Sequence, residues 1–247
     1  MIAAANLTAA EMGQQSMMDH TLENLTPHTK ALVGVVGSHA YGLARQGSDV
    51  DLRGIYVATT REVLGIYNIP ETIDRNEPDI CLHEVSKFIR LALACNPNIL
   101  EMLYLEKYEA LTEEGKLLVK NREAFLSSRV RDTYCGYAVS QVKRLMTRAS
   151  KGDASFGSDL RKRYSKHARH CFRLIAQGNE LLTTGNLTVK VEDPDYLFWI
   201  GEQAPDKLEK LFLEEFNQLK EADSILPEEP DRPTVNKVLL KIREMNP

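Results

Sequence analysis

Between two apolar runs, Leu32 to Val36 and Val50 to Val57, the chain reads GSHAYGLARQGSDVD from Gly37 to Asp51. Each run has the length of a strand, and the Gly47-Ser48 pair is a turn signal directly before the second. Two strands therefore flank a connector with room for one short helix. Gly37 lets backbone approach phosphate oxygens, and Ser38 adds a hydroxyl donor. The helix start that follows offers free N–H groups to an anion. Residues two apart on a strand point the same way, so a strand over Val50 to Val57 and its approach would present Asp49 and Asp51 on one face. Two such carboxylates repel unless a cation sits between them, and Mg²⁺ (or Mn²⁺) takes hard oxygen ligands while bridging substrate phosphates. Singly, a Gly-Ser turn reads as a plain strand end and an Asp-X-Asp as a solvated strand face. Their joint arrangement carries the signal.

Further along, Thr60 to Ile66 fits one or two helical turns, and Ile80 to Leu82 reads as a strand after the turn-forming Asn76-Glu77-Pro78. From Val85 the period becomes helical, with Phe88, Leu91, Ala92 and Cys95 at helical spacing, an interruption at Asn96-Pro97, and a resumption at Ile99, Leu100 and Leu103. Helices are expected over Glu113 to Phe125, Arg129 to Ala149 and Leu160 to Thr184, and near Tyr196, Leu208 and Val235. The Pro-rich stretch from Pro227 to Pro233 reads as a linker. A mixed front half followed by a run of helices gives an α+β fold: a small mixed β-sheet core with flanking helices over 21–112, then a helical region over 113–247. Residues 1–20 are expected to be a loosely ordered leader without chemistry.

The four cysteines, Cys81, Cys95, Cys135 and Cys171, are widely spaced and lie in apolar stretches. They read as buried thiols of a reducing compartment, neither a zinc site nor a disulfide framework. No apolar run approaches the roughly 20 residues that span a bilayer, and the opening residues lack a secretory pattern. The expectation is a cytoplasmic protein with no membrane partner. The formal net charge of −4 conceals a basic segment: Lys143 to Arg173 holds ten Lys and Arg against Asp153 and Asp159. That asymmetry suits a polyanion held at one place.

On a helix turning about 100° per residue, Tyr164, Ala168, Cys171, Phe172 and Ile175 fall on one side, and Arg163, Lys166, His167, His170 and Arg173 fall nearly opposite. The bland reading is a solvated charged face. The functional one gives Lys166 and Arg173 to phosphates and His170 or His167 to a phosphate or a base edge. Tyr41 and Arg45 on the connector are open between contact with a nucleotide and a packing or surface role, and Tyr196 and Trp199 between a stacking platform and helix core.

The Gly37-Ser38 and Asp49-X-Asp51 signature resembles that of the polymerase-β-like nucleotidyltransferase superfamily. KFIRLALACNPNILEMLY from Lys87 to Tyr104, KHARHCFRL from Lys166 to Leu174, and Glu180 to Gly185 resemble the branch associated with RNA repair. The similar stretches run from about Leu32 to Leu187. The resemblance implies a divalent metal, an NTP donor, and transfer of a nucleoside monophosphate to a hydroxyl, with an RNA (tRNA or a cleaved RNA) as acceptor. Members typically add a third carboxylate from a later strand. Asp79, which opens the Ile80 to Leu82 run, is the first candidate, and Glu84 the second. In a third reading both are turn or cap residues. The expected set is thus Asp49, Asp51 and Asp79 for catalysis and metal, and Gly37, Ser38, Lys166, His170 and Arg173 for the nucleotide. Other outcomes are transfer of NMP to a protein or small molecule, as in antitoxin-like relatives, and a non-catalytic nucleotide- or RNA-binding module.

Overall fold

The computed structural model describes residues 24–66, 68–150 and 158–247. The leader expected over 1–20 lies outside them. The front half builds a five-stranded mixed sheet from β1 (Thr29–Val36), β2 (Asp51–Val57), β3 (Thr72–Asn76), β4 (Asp79–Glu84) and β5 (Ala110–Leu111), in the order β3-β4-β2-β1-β5. β2 is antiparallel to β1 and parallel to β4, while β3 and β5 close the two edges antiparallel to their neighbours. Its alternation of apolar residues lets β2 bury Leu52 and Ile55 on opposite faces, one packing beneath β3 and β4 and the other toward the helices.

From Gly37 onward the described residues form ten α-helices, with short 3-10 helices at Glu101–Leu103 and Arg122–Phe125. The short α1 (Gly37–Ala40) leaves β1, α2 (Thr60–Leu64) follows β2, and α3 (Val85–Leu93) and α4 (Pro97–Leu100) follow β4. A capping box at Thr59 and Glu62 starts α2, and Asn96 caps α4 with Pro97 at its first position, where a missing N–H costs nothing. The helical half holds α5 (Glu113–Lys120), α6 (Arg129–Ser150), α7 (Ser158–Thr184), α8 (Pro194–Ile200), α9 (Pro205–Glu221) and α10 (Arg232–Met245). These match the helices expected from periodicity to within a few residues. Among the described residues, no helix is long and apolar enough to cross a membrane.

Sheet and helices share one apolar core that runs from Ala31 and Leu32 through Phe88, Tyr134 and Phe172 to Ile242. α7 buries the side foreseen for it, Tyr164, Ala168, Cys171, Phe172 and Ile175, largely against α6 and α9. Truncating a fully buried aromatic such as Phe88 or Phe172 to alanine costs about 3–5 kcal/mol. The last helix, α10, returns to the sheet: Arg243 donates to the Ala58 carbonyl, the Glu84 carboxylate and the Ser86 hydroxyl, and Asn246 contacts Glu114 and Thr29. All four cysteines are free thiols. Cys95 and Cys171 are buried as expected, whereas Cys81 and Cys135 are only half-buried.

Candidate active site

The connector after β1 is built by its own hydrogen bonds. Gly37 turns the chain at φ +70°, a left-handed conformation that glycine alone adopts at little cost. Leu43 N–H donates to Ser38 O at 2.8 Å, and Arg45 and Ser48 bond reciprocally, Arg45 N–H to the Ser48 hydroxyl and Ser48 N–H to Arg45 O. The last pair of the β1–β2 ladder is Val36 with Asp51. Asp51 therefore stands directly beside the turn, and a Cβ added to Gly37 would come to 2.5 Å from its Oδ2.

Because the ladder ends there, Asp49 is not a strand residue as the alternation suggested. It lies exposed in the connector, with no partner strand opposite it. Both carboxylates nevertheless line one cavity of about 310 Å³, together with Gly37, Ser38 and Tyr41. Lys166, Arg169, His170 and Arg173 of α7 and Phe198 of α8 form the opposite wall. All five expected nucleotide contacts and two of the three expected carboxylates thus meet around a single space.

Asp79 is the third. The parallel register of Leu52 with Ile80 places it next to Asp51, close enough for the two carboxyl groups to act on each other's protonation. Burial, followed by the Asp79 carboxyl, raises the Asp51 pKa above the usual carboxylate range. Asp79 is held below that range, first by its hydrogen bond from Arg53, at 2.7 Å. It is outside the lining of the 310 Å³ cavity. Among the described residues, no three His, Cys, Asp or Glu side chains converge into a ready metal cluster. Glu84, the other candidate, lies five residues along β4, roughly 16 Å away at strand rise. It caps α3 by accepting from Ser86 N–H and pairs with Arg243, so it is structural.

The basic side of α7 is not uniformly solvated. Arg173 is 3% exposed and donates to Glu101 at 3.1 Å and to Gln177 at 2.8 Å, so its charge is countered from within the protein. It lines the cavity as part of a buried network and not as a solvated phosphate hook. Tyr41 donates its hydroxyl to Glu101 while its ring lies 3.6 Å from the Arg173 guanidinium. Burial pushes the Glu101 carboxyl upward, and Arg173 and Tyr41 pull against it. Arg173 also meets His170 Nδ1 at 3.1 Å. A guanidinium can only donate, so Nδ1 accepts and the ring proton sits on Nε2. Burial first, then Arg173, His167 and Lys166, depress the His170 pKa to about 3. His170 is therefore a neutral hydrogen-bond donor. Lys166 is exposed at the cavity wall, Arg163 is exposed outside its lining, and His167 bonds to Gln141.

Sequence reasoning missed four residues here, one of them Arg169, which lies on α7 between the foreseen Lys166 and His170. Glu101 interrupts the apolar run ILEMLYL, and a lone carboxylate in such a run is the signal that could have found it. Arg53 shares a strand face with Asp51, two residues away, which was legible in principle. Phe198 gave no signal: of the aromatic run in α8, Tyr196 and Trp199 stack on each other outside this cavity, while Phe198 turns into it.

Comparison with known proteins places the chain in a family. The model of the RNA repair pathway DNA polymerase beta family matches residues 15–225. An uncharacterised 38.9 kDa protein from the nrdC-mobD intergenic region of Enterobacteria phage T4 is 30% identical over 130 residues, covering 47% of this chain and 38% of that protein. The chain thus spans well under half the length of that relative. The crystal structure of a nucleotidyltransferase-like protein from Exiguobacterium sibiricum is similar at 15% identity and a TM-score of 0.29, over 95% of this chain and 80% of that one. With the family model covering most of its length, the chain belongs to the RNA repair pathway DNA polymerase beta family.

Proposed function

We propose that the protein transfers a nucleoside monophosphate from an NTP to a hydroxyl at an RNA end, a tRNA or a cleaved RNA, and releases pyrophosphate. The observation that carries this reading is the single cavity with the Gly37-Ser38 turn and the Asp49 and Asp51 carboxylates on one wall and the Lys166 and His170 donors on the other. The turn's backbone and Ser38 hold phosphate oxygens. Lys166 offsets their charge, and the neutral His170 donates from Nε2 to a phosphate oxygen or a base edge without adding charge. The acceptor oxygen bonds to the α-phosphorus as the bond to the bridging oxygen breaks, so the site's contribution is positioning and charge.

The donor set fits a small hard dication. Asp49 and Asp51 offer carboxylate oxygens on one cavity, and the β2–β4 register sets the Asp79 carboxyl beside Asp51, a crowding of like charges that a cation relieves. Two or three carboxylates leave coordination positions for phosphate and water oxygens, the usual habit of Mg²⁺. When bound, Mg²⁺ or Mn²⁺ would polarise the phosphates and acidify the attacking hydroxyl. Asp79 is assigned here as the third carboxylate, with Arg53 orienting it.

The acceptor is tested by offering the protein each α-phosphate-labelled NTP with Mg²⁺ or Mn²⁺ beside tRNA, cleaved RNA and cell-lysate protein. Label in RNA is the expected result. Label in protein alone would replace the RNA acceptor with NMPylation, and binding without label in any acceptor would reduce the site to a nucleotide- or RNA-binding module.

A further inference from the structure

Next to the catalytic cavity, and sharing Arg45, Arg169 and Phe198 with it, lies an open trough of about 520 Å³ that continues to Arg161, Lys162 and Glu202. On α7 the positions 161, 162, 165, 166, 169 and 170 follow helical spacing, so they form one face leading away from the carboxylates. From Arg161 to Arg169 that face is about 12 Å long at helical rise. Five cations stand along it, Arg45, Arg161, Lys162, Lys166 and Arg169, and the only carboxylate in either lining beyond Asp49 and Asp51 is Glu202. Among the described residues none of the five forms an ion pair, in contrast to Arg173, which Glu101 neutralises.

Phe198 organises the group. Arg45 lies 4.2 Å and Arg169 5.1 Å from its ring centroid, so two guanidiniums that repel each other are gathered on one aromatic side chain. Burial first, and then the nearby Arg45 charge, lower the Arg169 pKa, with Glu202 acting against them. A triphosphate in the first cavity accounts for Lys166 and the Gly-Ser turn. It does not account for Arg161 and Lys162 at the far end of the trough. A linear array of unpaired cations that begins at the reactive carboxylates matches a linear array of phosphates.

We propose that the α7 face from Arg161 to Arg169, with Arg45 and Phe198, is a docking groove for the sugar-phosphate backbone of a single-stranded segment of the RNA acceptor. The proposal rests on the RNA-acceptor reading above and adds the surface on which the acceptor lies. Phe198 acts as a positioning residue that holds Arg45 and Arg169 toward the strand.

The test is equilibrium binding of a fluorescein-labelled single-stranded oligouridylate to the full chain, without NTP, over a salt series. Arg161 and Lys162 are exposed, so the R161A/K162A double variant keeps the fold. Its affinity is expected to fall about tenfold at ~0.15 M salt, and its log–log salt slope to flatten by about 1.4, the loss of two single-strand phosphate contacts. Phe198→Leu keeps every charge and is expected to weaken binding with the slope held. Unchanged affinity and slope in R161A/K162A would overturn the groove, as would an equal loss of inorganic triphosphate binding in that variant. The two readings fail separately. Groove-dependent binding with no nucleotide transfer removes the transferase reading and leaves the groove, whereas RNA transfer indifferent to R161A/K162A removes the groove and leaves the transferase.

Discussion

Glu101 and Arg173 are 72 residues apart in the chain and meet at 3.1 Å, each side chain almost wholly buried. Glu101 comes from the sheet half and Arg173 from the long helix α7, so this pair ties the two halves together beside the Gly37 to Asp51 cavity. Tyr41 joins it through a hydroxyl donated to Glu101 and a ring under the guanidinium. His170, the neutral donor of the site, takes its orientation from Arg173. Removing one partner strands a buried charge, so Glu101→Gln is expected to destabilise the fold by about 3–5 kcal/mol in urea unfolding. A double-mutant cycle with Arg173→Met checks the coupling. The double variant should recover much of the loss, because a buried pair replaced by neutral groups is often close to neutral in stability.

His170 gives the fold a pH signature. Its folded pKa of about 3 lies below the unfolded value of about 6.5, so between those limits the unfolded chain binds the extra proton. Stability from this group is fully present above pH ~6.5 and is lost as pH falls through the window. Between pH 6.5 and 5 the loss is about 1–2 kcal/mol, as the unfolded imidazole goes from half to almost fully protonated while the folded one stays neutral. Unfolding free energies measured across that range should decline more steeply in the wild type than in His170→Gln. Parallel declines would contradict the burial of a neutral imidazole there.

Gly37→Ala probes the closeness of the turn to Asp51. The positive φ costs an alanine about 1–2 kcal/mol, and the new methyl would press on the Asp51 carboxylate. Nucleotide transfer is expected to fall by at least about a hundredfold, as when a charge-stabilising contact is lost. Thermal unfolding should show only a modest shift. A variant that unfolds readily yet transfers normally when folded would contradict this placement.

The third carboxylate separates chemistry from packing. Asp79→Asn keeps the shape, removes the charge that Arg53 pairs with, and leaves Glu84 and its Arg243 partner untouched. Transfer at saturating substrate is expected to drop by about a hundredfold or more, with little change in stability, because the Arg53–Asp79 pair is partly exposed and such pairs contribute about 1 kcal/mol or less. Glu84→Gln should do the reverse, lowering stability while leaving transfer by the folded fraction unchanged. Equal kinetic effects from both substitutions would remove the assignment of Asp79.

Much of this was legible before the structure. The helices of the second half follow from a period of 3.6 over long segments, and the Gly-Ser turn announces itself through a local backbone requirement, whereas strand alternation placed Asp51 correctly but not Asp49. Long-range pairings did not. β3 reads TIDRN and β5 holds two residues, so neither carries a period. The parallel pairing of β2 with β4, which brings Asp79 to Asp51, depends on strand order that no spacing encodes. The same limit hid the neutralisation of Arg173. Helical phase correctly grouped it with Lys166 and His170, but only the fold supplies the carboxylate that meets it.

The most direct measurement is single-turnover transfer from an α-phosphate-labelled NTP to RNA by the wild type and by an Asp49→Ala/Asp51→Ala variant, with the folding of both checked by circular dichroism. The account predicts labelled RNA and released pyrophosphate from the wild type and neither from the folded variant. Equal label from the two proteins would place the chemistry outside the Gly37 to Asp51 cavity and contradict it.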